Sequence, residues 1–365
     1  MPAPDPMTPP LTPERIALAE VMLPSGTLAD TLAFFVGELG FRIETIFPAE
    51  DPEVASLSGH GLRLRLSPDA AEPGVIRLLC DALSPPADRK LVAPNGTRIA
   101  FAPRDTPMVV PDLVPAFVLT RVADGPPAGA GRAGMIYRDL IRDRQGGRFI
   151  ASHIALPQGG PVTDWVHFHK VRFQLIFCRR GWARLVYEDQ GPPFLMQAGD
   201  CVLQPPRIRH RVLESSPGFE VVEVGCPALH ETLADHDMTL PTGLLLPERD
   251  FGGQRFLHSV AAAAPWSPHG DSGFERRDTG VDRATGGIAD AYVLRPAGSG
   301  RLAAPAHHGE LLFGFVLEGS AMLECQGENP LTGGDAFVIP AGEAWRLSDA
   351  SRDLELLQVV VPAAG

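Results

Sequence analysis

From residue 149 onward, short apolar runs alternate with turns, and no long helical pattern intervenes. The runs recur about every ten residues, the spacing of strands in an antiparallel sandwich or barrel. The first set of predicted strands is residues 149–156, 175–178, 183–187, 201–203, 211–213 and 220–224. The second set is residues 289–295, 314–317, 321–325, 336–339 and 354–361. The pattern predicts a mainly β architecture for most of the chain.

The N-terminal part has a different order of elements. Leu28, Leu32, Phe35 and Val36 have the spacing of an amphipathic helix that ends at Gly40. Strands are predicted before and after this helix, at residues 16–23, 41–47, 54–57, 62–66 and 75–79. One strand, one helix and then several strands indicate a small α+β module.

The two strand-rich halves share landmarks at matching spacing. In each half a glycine closes an apolar strand, a Gly-Asp pair follows, and a proline stands six residues after the glycine of that pair. The landmarks are Gly181, Gly199, Pro205 and His210 in the first half and Gly319, Gly334, Pro340 and Trp345 in the second. A period of about 135 residues indicates the duplication of a whole domain.

Composition restricts the class of partner. The 365 residues suggest two or three domains, and 44% hydrophobic with 21% charged residues is typical of a soluble globular protein. A net charge of −12 argues against nucleic-acid and anionic-membrane partners. No apolar stretch approaches the roughly 18 residues of a membrane span, and the N-terminus lacks the pattern of a signal peptide. We therefore expect a cytoplasmic protein with a small-molecule substrate or ligand.

Cysteine usage agrees with a reducing compartment. The five cysteines are scattered and odd in number, and no two of them form a C-x-x-C pair. This pattern predicts free thiols and no disulfide framework.

The clearest chemical signal lies between Trp165 and His210. His167 and His169 are two residues apart, so on an extended strand both imidazoles point to the same face. A third imidazole from a neighbouring strand and one oxygen ligand would complete a site for a borderline divalent metal such as Fe, Mn, Ni, Cu or Zn.

Both halves resemble the cupin family, and together they resemble a bicupin. The two family motifs read here as Gly160 … His167-Phe168-His169 … Gln174 … Gly181 and Gly199 … Pro205 … His210. The resemblance implies two double-stranded β-helix barrels, with His167, His169, Gln174 and His210 as metal ligands in the first. It also implies one divalent metal per chain, with iron favoured over Mn, Ni, Cu or Zn.

One ligand position departs from the family pattern. Gln174, a neutral amide, stands where the cupin motif has a glutamate. Three imidazoles and an amide leave the charge of a divalent metal uncompensated, which weakens binding and makes the metal a stronger Lewis acid.

The second half departs further from the motif. Leu312 takes the oxygen-ligand position and Trp345 the position of the last histidine. His307, His308 and Glu310 could still gather an ion, but adjacent histidines point to opposite faces of a strand. We expect a degenerate, metal-free barrel in which Trp345 fills the space of the metal.

Residues 15–104 resemble a single module of the glyoxalase / vicinal oxygen chelate family, on the segments FFVGELGFRIE and APNGTRIAFA. The resemblance puts metal ligands at Glu20 and at the position of Ala100, where the ligand is missing. A second metal site stays open as an alternative, but a structural or dimerising module is the favoured interpretation.

The predicted fold class is mainly β, with two cupin barrels preceded by a small α+β module of βαβββ order. The predicted domains are a flexible tail at 1–13, the vicinal-oxygen-chelate-like module at 14–104, a connector at 105–148, cupin barrel 1 with the metal site at 149–235, a linker at 236–255 and degenerate cupin barrel 2 at 256–365.

The functional hypothesis is a metal-dependent bicupin, an oxidoreductase of the Fe(II) dioxygenase type that acts on a small organic, perhaps aromatic, substrate. The alternatives are a non-catalytic protein that binds or senses a small molecule and a metal-dependent isomerase or hydrolase. We expect a homodimer.

Overall fold

A computed structural model describes residues 16–81, 90–124, 129–130, 134–298, 302–304 and 306–363. The predicted flexible tail, residues 1–13, lies outside the described residues. The chain divides into two compact units, Met1–Pro107 and Met108–Gly365. Within the described ranges, no helix is long and apolar enough to cross a membrane.

The first elements of this unit follow the predicted βαβββ order, and three further strands come after them. Its elements are β1 (Val21–Pro24), α1 (Leu28–Leu32), a π-helical segment (Ala33–Glu38), β2 (Arg42–Phe47), β3 (Val54–Gly59), β4 (Leu62–Ser67), β5 (Val75–Cys80), β6 (Lys90–Val92) and β7 (Arg98–Pro103). The first four strands form a sheet of order β1-β4-β3-β2, in which β1 runs parallel to β4. β5, β7 and β6 form a separate three-stranded sheet.

The helix of this unit follows from the spacing of its apolar residues. Leu28 and Phe35 are buried in one cluster with Leu57 and Leu64 of the sheet. The chain turns away at Gly40, whose φ of +74° is a left-handed value that glycine adopts without strain.

The second unit is almost entirely β. Its first half contains β8 (Val118–Thr120), β9 (Gly129–Ala130), β10 (Ile136–Asp139), α2 (Arg144–Gly147), β11 (Ile150–Leu156), β12 (Gly160–Pro161), β13 (His167–His169), β14 (Phe173–Arg180), β15 (Trp182–Tyr187), β16 (Phe194–Gln197), β17 (Cys201–Leu203), β18 (His210–Ser215), β19 (Phe219–Cys226), β20 (Thr232–Ala234) and β21 (Leu257–Ser259). Its second half contains a 3₁₀ turn (Ala261–Ala263), β22 (Trp266–Pro268), β23 (Phe274–Asp278), α3 (Val281–Thr285), β24 (Asp290–Pro296), β25 (Leu302–Ala304), β26 (Leu311–Glu318), β27 (Ser320–Glu324), β28 (Glu328–Thr332), β29 (Ala336–Val338), β30 (Trp345–Ser348) and β31 (Glu355–Val361).

Each half forms a barrel from two facing sheets. The first barrel has a seven-stranded sheet of order β21-β17-β14-β19-β11-β10-β9 and a six-stranded sheet of order β16-β15-β18-β13-β20, with β12 beside β18. The second has a seven-stranded sheet of order β22-β23-β24-β31-β26-β29-β8 and a four-stranded sheet of order β25-β30-β27-β28. The mainly β fold predicted from the strand pattern is confirmed.

The two barrels exchange strands. β8, from the stretch predicted as a connector, pairs with β29 of the second barrel. β21, from the stretch predicted as the start of the second barrel, pairs with β17 of the first. The strand β8, which precedes the first barrel in the sequence, thus completes a sheet of the second barrel. The strand β21, which precedes the second barrel, completes a sheet of the first.

Strand alternation sorts the side chains into layers. On β14 and β19, Phe177 and Val222 point into an apolar layer that they share with Phe313 and Val359 of the second barrel. The alternate residues of each strand point into the interior of the first barrel. There Val221 packs in one cluster with side chains of the facing sheet. Both faces of this seven-stranded sheet are thus buried.

Candidate metal centre

Three histidines meet on the six-stranded sheet of the first barrel. His167 and His169 lie on β13, and His210 begins β18, directly opposite His167 in the antiparallel register. Their exposed fractions are 1%, 8% and 6%. The ring centroids of His167 and His210 are 4.3 Å apart, and that of His169 lies 5.3 and 5.4 Å from them. One nitrogen of each ring lies within 4.8 Å of the other two, so the set could hold a metal ion.

Backbone carbonyl groups fix the orientation of the rings. Nδ1 of His167 and Nδ1 of His210 each donate to the carbonyl oxygen two residues earlier, at 2.8 and 3.0 Å. Nδ1 of His169 lies 3.4 Å from the carbonyl oxygen of Glu231. Because a carbonyl oxygen can only accept, Nδ1 of His167 and of His210 carries the proton and Nε2 of each carries the lone pair. This neutral tautomer is the form in which imidazole ligates divalent metals.

A buried carboxylate lies behind the histidine pair. The side chain of Asp164 is fully buried, with Oδ1 3.6 Å from Nδ1 of His167. Its Oδ2 accepts a hydrogen bond from the backbone N–H of Val212, which lies two residues after His210 on β18. A carboxylate in this position increases the basicity of the ligating ring and helps to fix the ring's orientation. Sequence reasoning missed Asp164, although it stands three residues before His167.

Gln174 lies on the facing sheet. It is 2% exposed, and its β14 position alternates with Phe173 and Leu175, which point into the layer between the barrels, so its side chain is on the interior face. Its Oε1 is buried and accepts no hydrogen bond from any described residue. Burial of a carbonyl oxygen without a partner costs free energy. A metal ion bound to Oε1 would remove this cost, so Gln174 fits the role of an oxygen ligand.

A small cavity of ≈ 80 Å³ adjoins the histidines. Its wall is mainly apolar and includes Met135, Ile154, Leu156, Ile176, Leu185 and Val221. At about 10–15 Å³ for each water, the space corresponds to about five to eight water-sized positions. The site therefore suits a small ligand in surroundings that exclude bulk water.

The polar part of the wall contains four residues that sequence reasoning missed: Tyr137, Tyr187, Gln204 and Glu223. The Tyr187 ring stacks on His210 with centroids 5.4 Å apart. Burial, reinforced by the charge of Glu223 and opposed by the neighbouring Gln204 side chain, raises the pKa of Tyr187 far above its ordinary value. The phenol therefore keeps its proton. Glu223 is a charged residue inside the apolar run of β19, and this was the sequence feature that could have indicated a functional residue.

No family model and no curated protein matches this sequence. Solved structures do match. Protein Ylba from E. coli is 11% identical with a TM-score of 0.52, over 69% of this chain and 93% of that one. Oxalate decarboxylase from Bacillus subtilis, with Mn(II) centres, is 11% identical with a TM-score of 0.50, over 71% and 79%. Salicylate 1,2-dioxygenase from Pseudaminobacter salicylatoxidans is 16% identical with a TM-score of 0.50, over 70% and 86%.

The fold is a cupin fold. At these identities the matches establish the architecture, and the predicted pair of cupin barrels agrees with them.

The second cupin barrel has an apolar interior. Leu312 and Trp345, at the positions of the lost ligands, are both buried in its core cluster. The rings of Trp345 and Phe337 have centroids 6.2 Å apart. A Cβ placed on Gly314 would lie 2.3 Å from the Phe337 ring, so this ring occupies the space above the glycine. Side chains fill this part of the interior, as expected for Trp345.

The polar residues at the edge of this barrel have other partners. Nε2 of His307 lies 2.7 Å from a backbone carbonyl oxygen. Oε2 of Glu310 accepts hydrogen bonds from Arg148 and Arg172 of the first barrel, both at 2.8 Å. Among the described residues, His307, His308 and Glu310 do not form a group whose ligand atoms converge.

In the first unit, Glu20 forms an ion pair with Arg63, with Nε and Oε1 2.8 Å apart. Ala100, at the second ligand position implied by the vicinal-oxygen-chelate resemblance, lies on β7 and offers no ligand. Over the part of this unit that the structure describes, no group of three His, Cys, Asp or Glu side chains converges. A structural or dimerising role for this module stays a prediction.

All five cysteines are free thiols. Burial raises the pKa of Cys178 and that of Cys201 to about 12. Thiols with such pKa values stay protonated and are poor nucleophiles, so these two act as core residues.

Proposed function

We propose that this chain is a metal-dependent cupin enzyme that uses dioxygen to oxidise a small organic substrate, with Fe(II) as its metal. His167, His169 and His210 would hold the metal, with Gln174 as a neutral oxygen ligand. The observation that carries the proposal is the convergence of three buried imidazoles, with Nε2 as the ligating nitrogen, beside an apolar cavity. When bound, Fe(II) on three imidazoles supplies open positions for substrate and dioxygen and the electrons for oxidation.

The chain itself provides geometry and a dry environment. The aliphatic wall formed by residues such as Ile154, Ile176 and Leu185 excludes water. The Tyr187 ring, stacked on His210, limits the freedom of that imidazole and presents a protonated phenol to the cavity. Backbone carbonyl groups hold the tautomer of His167 and His210, and the nearby charge of Asp164 favours the same tautomer of His167.

The structural relatives support a metal-dependent role and leave the reaction open. They include a decarboxylase with Mn(II) centres and a dioxygenase. Because Gln174 brings no carboxylate, three neutral imidazoles and an amide would leave the full charge of the metal available to bind an anionic substrate. The small cavity favours a substrate of few heavy atoms.

Oxygen consumption tests the proposal. The full chain, loaded with Fe(II) under anaerobic conditions, is mixed with aerated buffer and a panel of small phenols, diketones and hydroxy acids. We expect substrate-dependent oxygen uptake that His210→Ala abolishes and His236→Ala, at an exposed histidine, leaves unchanged. Binding of panel members to the Fe(II)-loaded chain without oxygen uptake would contradict the dioxygenase and favour the non-catalytic binding protein.

A further inference from the structure

A second cavity lies between the two barrels, away from the histidines. Its volume is ≈ 370 Å³, and strands of the seven-stranded sheets of both barrels border it, together with the 3₁₀ turn that joins the halves. The apolar part of its wall consists of Phe177, Ala198, Ala261, Ala262, Trp266 and Leu317. The cavity therefore offers an apolar surface that is separate from the metal centre.

The register of the second barrel directs Arg277 toward this cavity. Arg277 lies on β23, directly opposite Trp266 of β22 on one side and Val293 of β24 on the other. Residues directly opposite each other share a face of the sheet, and Val293 belongs to the apolar layer between the barrels. Arg277 is 7% exposed, and its Nη1 donates to the carbonyl oxygen of Gly199 in the first barrel at 3.2 Å. The guanidinium is thus buried at the boundary of the barrels.

The Arg277 guanidinium has few partners for a buried cation. It has five N–H donors, but its one hydrogen bond within the described chain is to Gly199, and its Cζ lies 5.4 Å from the centroid of the Trp266 ring. No described carboxylate forms an ion pair with it. Burial lowers the pKa of this guanidinium, and the charge of Glu355 offsets only part of the effect. A buried cation in this state costs free energy that a bound anion would recover.

Three other charged side chains line the cavity, and two of them are already paired. Arg179 and Glu318 form ion pairs with residues outside the cavity wall, at 3.0 and 3.1 Å. Glu355, at the start of β31, forms no hydrogen bond or ion pair with the described chain. The wall therefore presents one unpaired carboxylate, Glu355, in addition to the unpaired guanidinium of Arg277.

The sheet keeps these two charges apart on one face. Glu355 stands two residues before Leu357, which belongs to the apolar layer between the barrels, so both point to the same face. The strands of Arg277 and Glu355, β23 and β31, are separated by β24. At about 4.8 Å between neighbouring strands, the two backbones lie about 10 Å apart. This spacing leaves room for a small molecule between a cation and an anion.

We propose that this cavity binds an amino acid with an apolar side chain, whose carboxylate pairs with Arg277 and whose ammonium group pairs with Glu355. The apolar side chain packs against Phe177, Trp266 and Leu317. A zwitterion matches both unpaired charges, whereas a simple anion would be repelled by Glu355 and a simple cation by Arg277. The histidines point into the interior of the first barrel, so this binding site does not depend on the proposed function.

Leucine and its two singly charged analogues test the proposal. The full chain, freed of metal by dialysis against a chelator, is titrated by calorimetry with L-leucine, 4-methylpentanoate, which lacks the ammonium group, and 3-methylbutylamine, which lacks the carboxylate. We expect L-leucine to bind at least about tenfold more tightly than either analogue. Inorganic phosphate, the probe for a general anion site, should bind more weakly than L-leucine. Binding of none of the four, or binding of phosphate or 4-methylpentanoate as tightly as L-leucine, would overturn the proposal.

Neutral variants assign the two contacts. Arg277→Gln should weaken binding of L-leucine at least about tenfold, and Glu355→Gln should bind L-leucine no more tightly than 4-methylpentanoate. Arg283→Gln and Glu248→Gln are the matched controls, because both side chains are 77% exposed, and they should bind L-leucine like wild type. Wild-type binding of L-leucine by Arg277→Gln or by Glu355→Gln would contradict the assignment.

Two further measurements separate this site from the metal centre and binding from folding. His210→Ala should bind L-leucine like wild type; a loss would place L-leucine at the histidines and overturn the proposal. L-leucine should raise the midpoint of thermal unfolding of wild type and leave that of Glu355→Gln unchanged. If Arg277→Gln does not fold, Glu355→Gln decides alone, since an equal rise in its midpoint would contradict the pairing of the ammonium group with this carboxylate.

Discussion

Gln174 is the residue on which the chemistry of the site depends most. Its amide oxygen is buried on the interior face of β14 and accepts no hydrogen bond from the described chain. A carbonyl oxygen in this position can bind a cation, but it is neutral and does not compensate the charge of a divalent metal.

The substitution Gln174→Glu should therefore tighten metal binding. The added carboxylate compensates part of the metal charge, and we expect affinity to rise by about tenfold, measured by competition with a chromogenic chelator. Without metal the same variant should unfold at a lower temperature, because a buried carboxylate lacks its counter-charge. Gln204→Glu, at the other glutamine of the cavity region, is the control. Unchanged metal affinity in Gln174→Glu would show that residue 174 is not a ligand.

Some residues of the site could be predicted from the sequence and others could not. The spacing of His167 and His169 is a local property of one strand, and His210 was added by the cupin motif; the structure places the three side chains close together, and their role as metal ligands stays a prediction. Asp164 and Glu223 were missed because a single charged residue beside an apolar run does not reveal which of two faces it takes. That choice depends on the packing of two sheets.

At the scale of strands, alternation decides whether a barrel keeps a cavity. In β14 the interior positions carry Gln174 and Ile176, and Ile176 lines the cavity. In β26 the corresponding positions carry Leu312 and Gly314, and the Phe337 ring lies over the glycine. This part of the interior of the second barrel is thus filled by aromatic packing.

Gly314→Ala tests this packing. The new methyl group would lie 2.3 Å from the Phe337 ring, so the ring or the strand must move. We expect a loss of roughly 1–3 kcal/mol in the free energy of unfolding, measured by urea denaturation. Gly298→Ala, where a Cβ meets no atom within 4 Å, is the matched control and should change stability little. Equal stability of both variants would mean that the interior is not tightly filled.

The order of strands could be predicted only in part. The runs that became β11, β14, β15 and β19 were visible from their apolar spacing. The exchange of β8 and β21 between barrels was not, because Val118–Thr120 and Leu257–Ser259 are three-residue strands whose partners lie far away in the sequence. Short strands take their partners from the tertiary fold rather than from local pattern.

At the scale of the molecule, a buried ion-pair cluster joins the barrels. Glu310 of the second barrel accepts from Arg148 and Arg172 of the first. Burial alone would raise the pKa of Glu310, but the hydrogen bonds from Arg172 and Arg148 outweigh it and lower the pKa below 4.5. A carboxyl whose pKa is lowered by folding contributes stability above its unfolded pKa and loses it as the pH falls through the folded pKa.

Unfolding of wild type should therefore become easier in acid, below about pH 4.5. Glu310→Gln should cost roughly 1–3 kcal/mol at neutral pH and flatten the acid side of the curve of stability against pH. Glu318→Gln is the control, since that carboxylate is 56% exposed in its pair with Arg180 and should contribute less than about 1 kcal/mol. An identical pH dependence in wild type and Glu310→Gln would contradict this assignment.

The most direct test of the whole account is the metal content of the full chain. The protein is purified without a metal-affinity tag, reconstituted with Fe(II) under anaerobic conditions, desalted and analysed for metals. We predict about one divalent metal ion per chain in wild type and in His236→Ala, and close to none in the double variant His167→Ala/His210→Ala. A wild-type chain that emerges without metal, or a double variant that binds as much metal as wild type, would contradict the account.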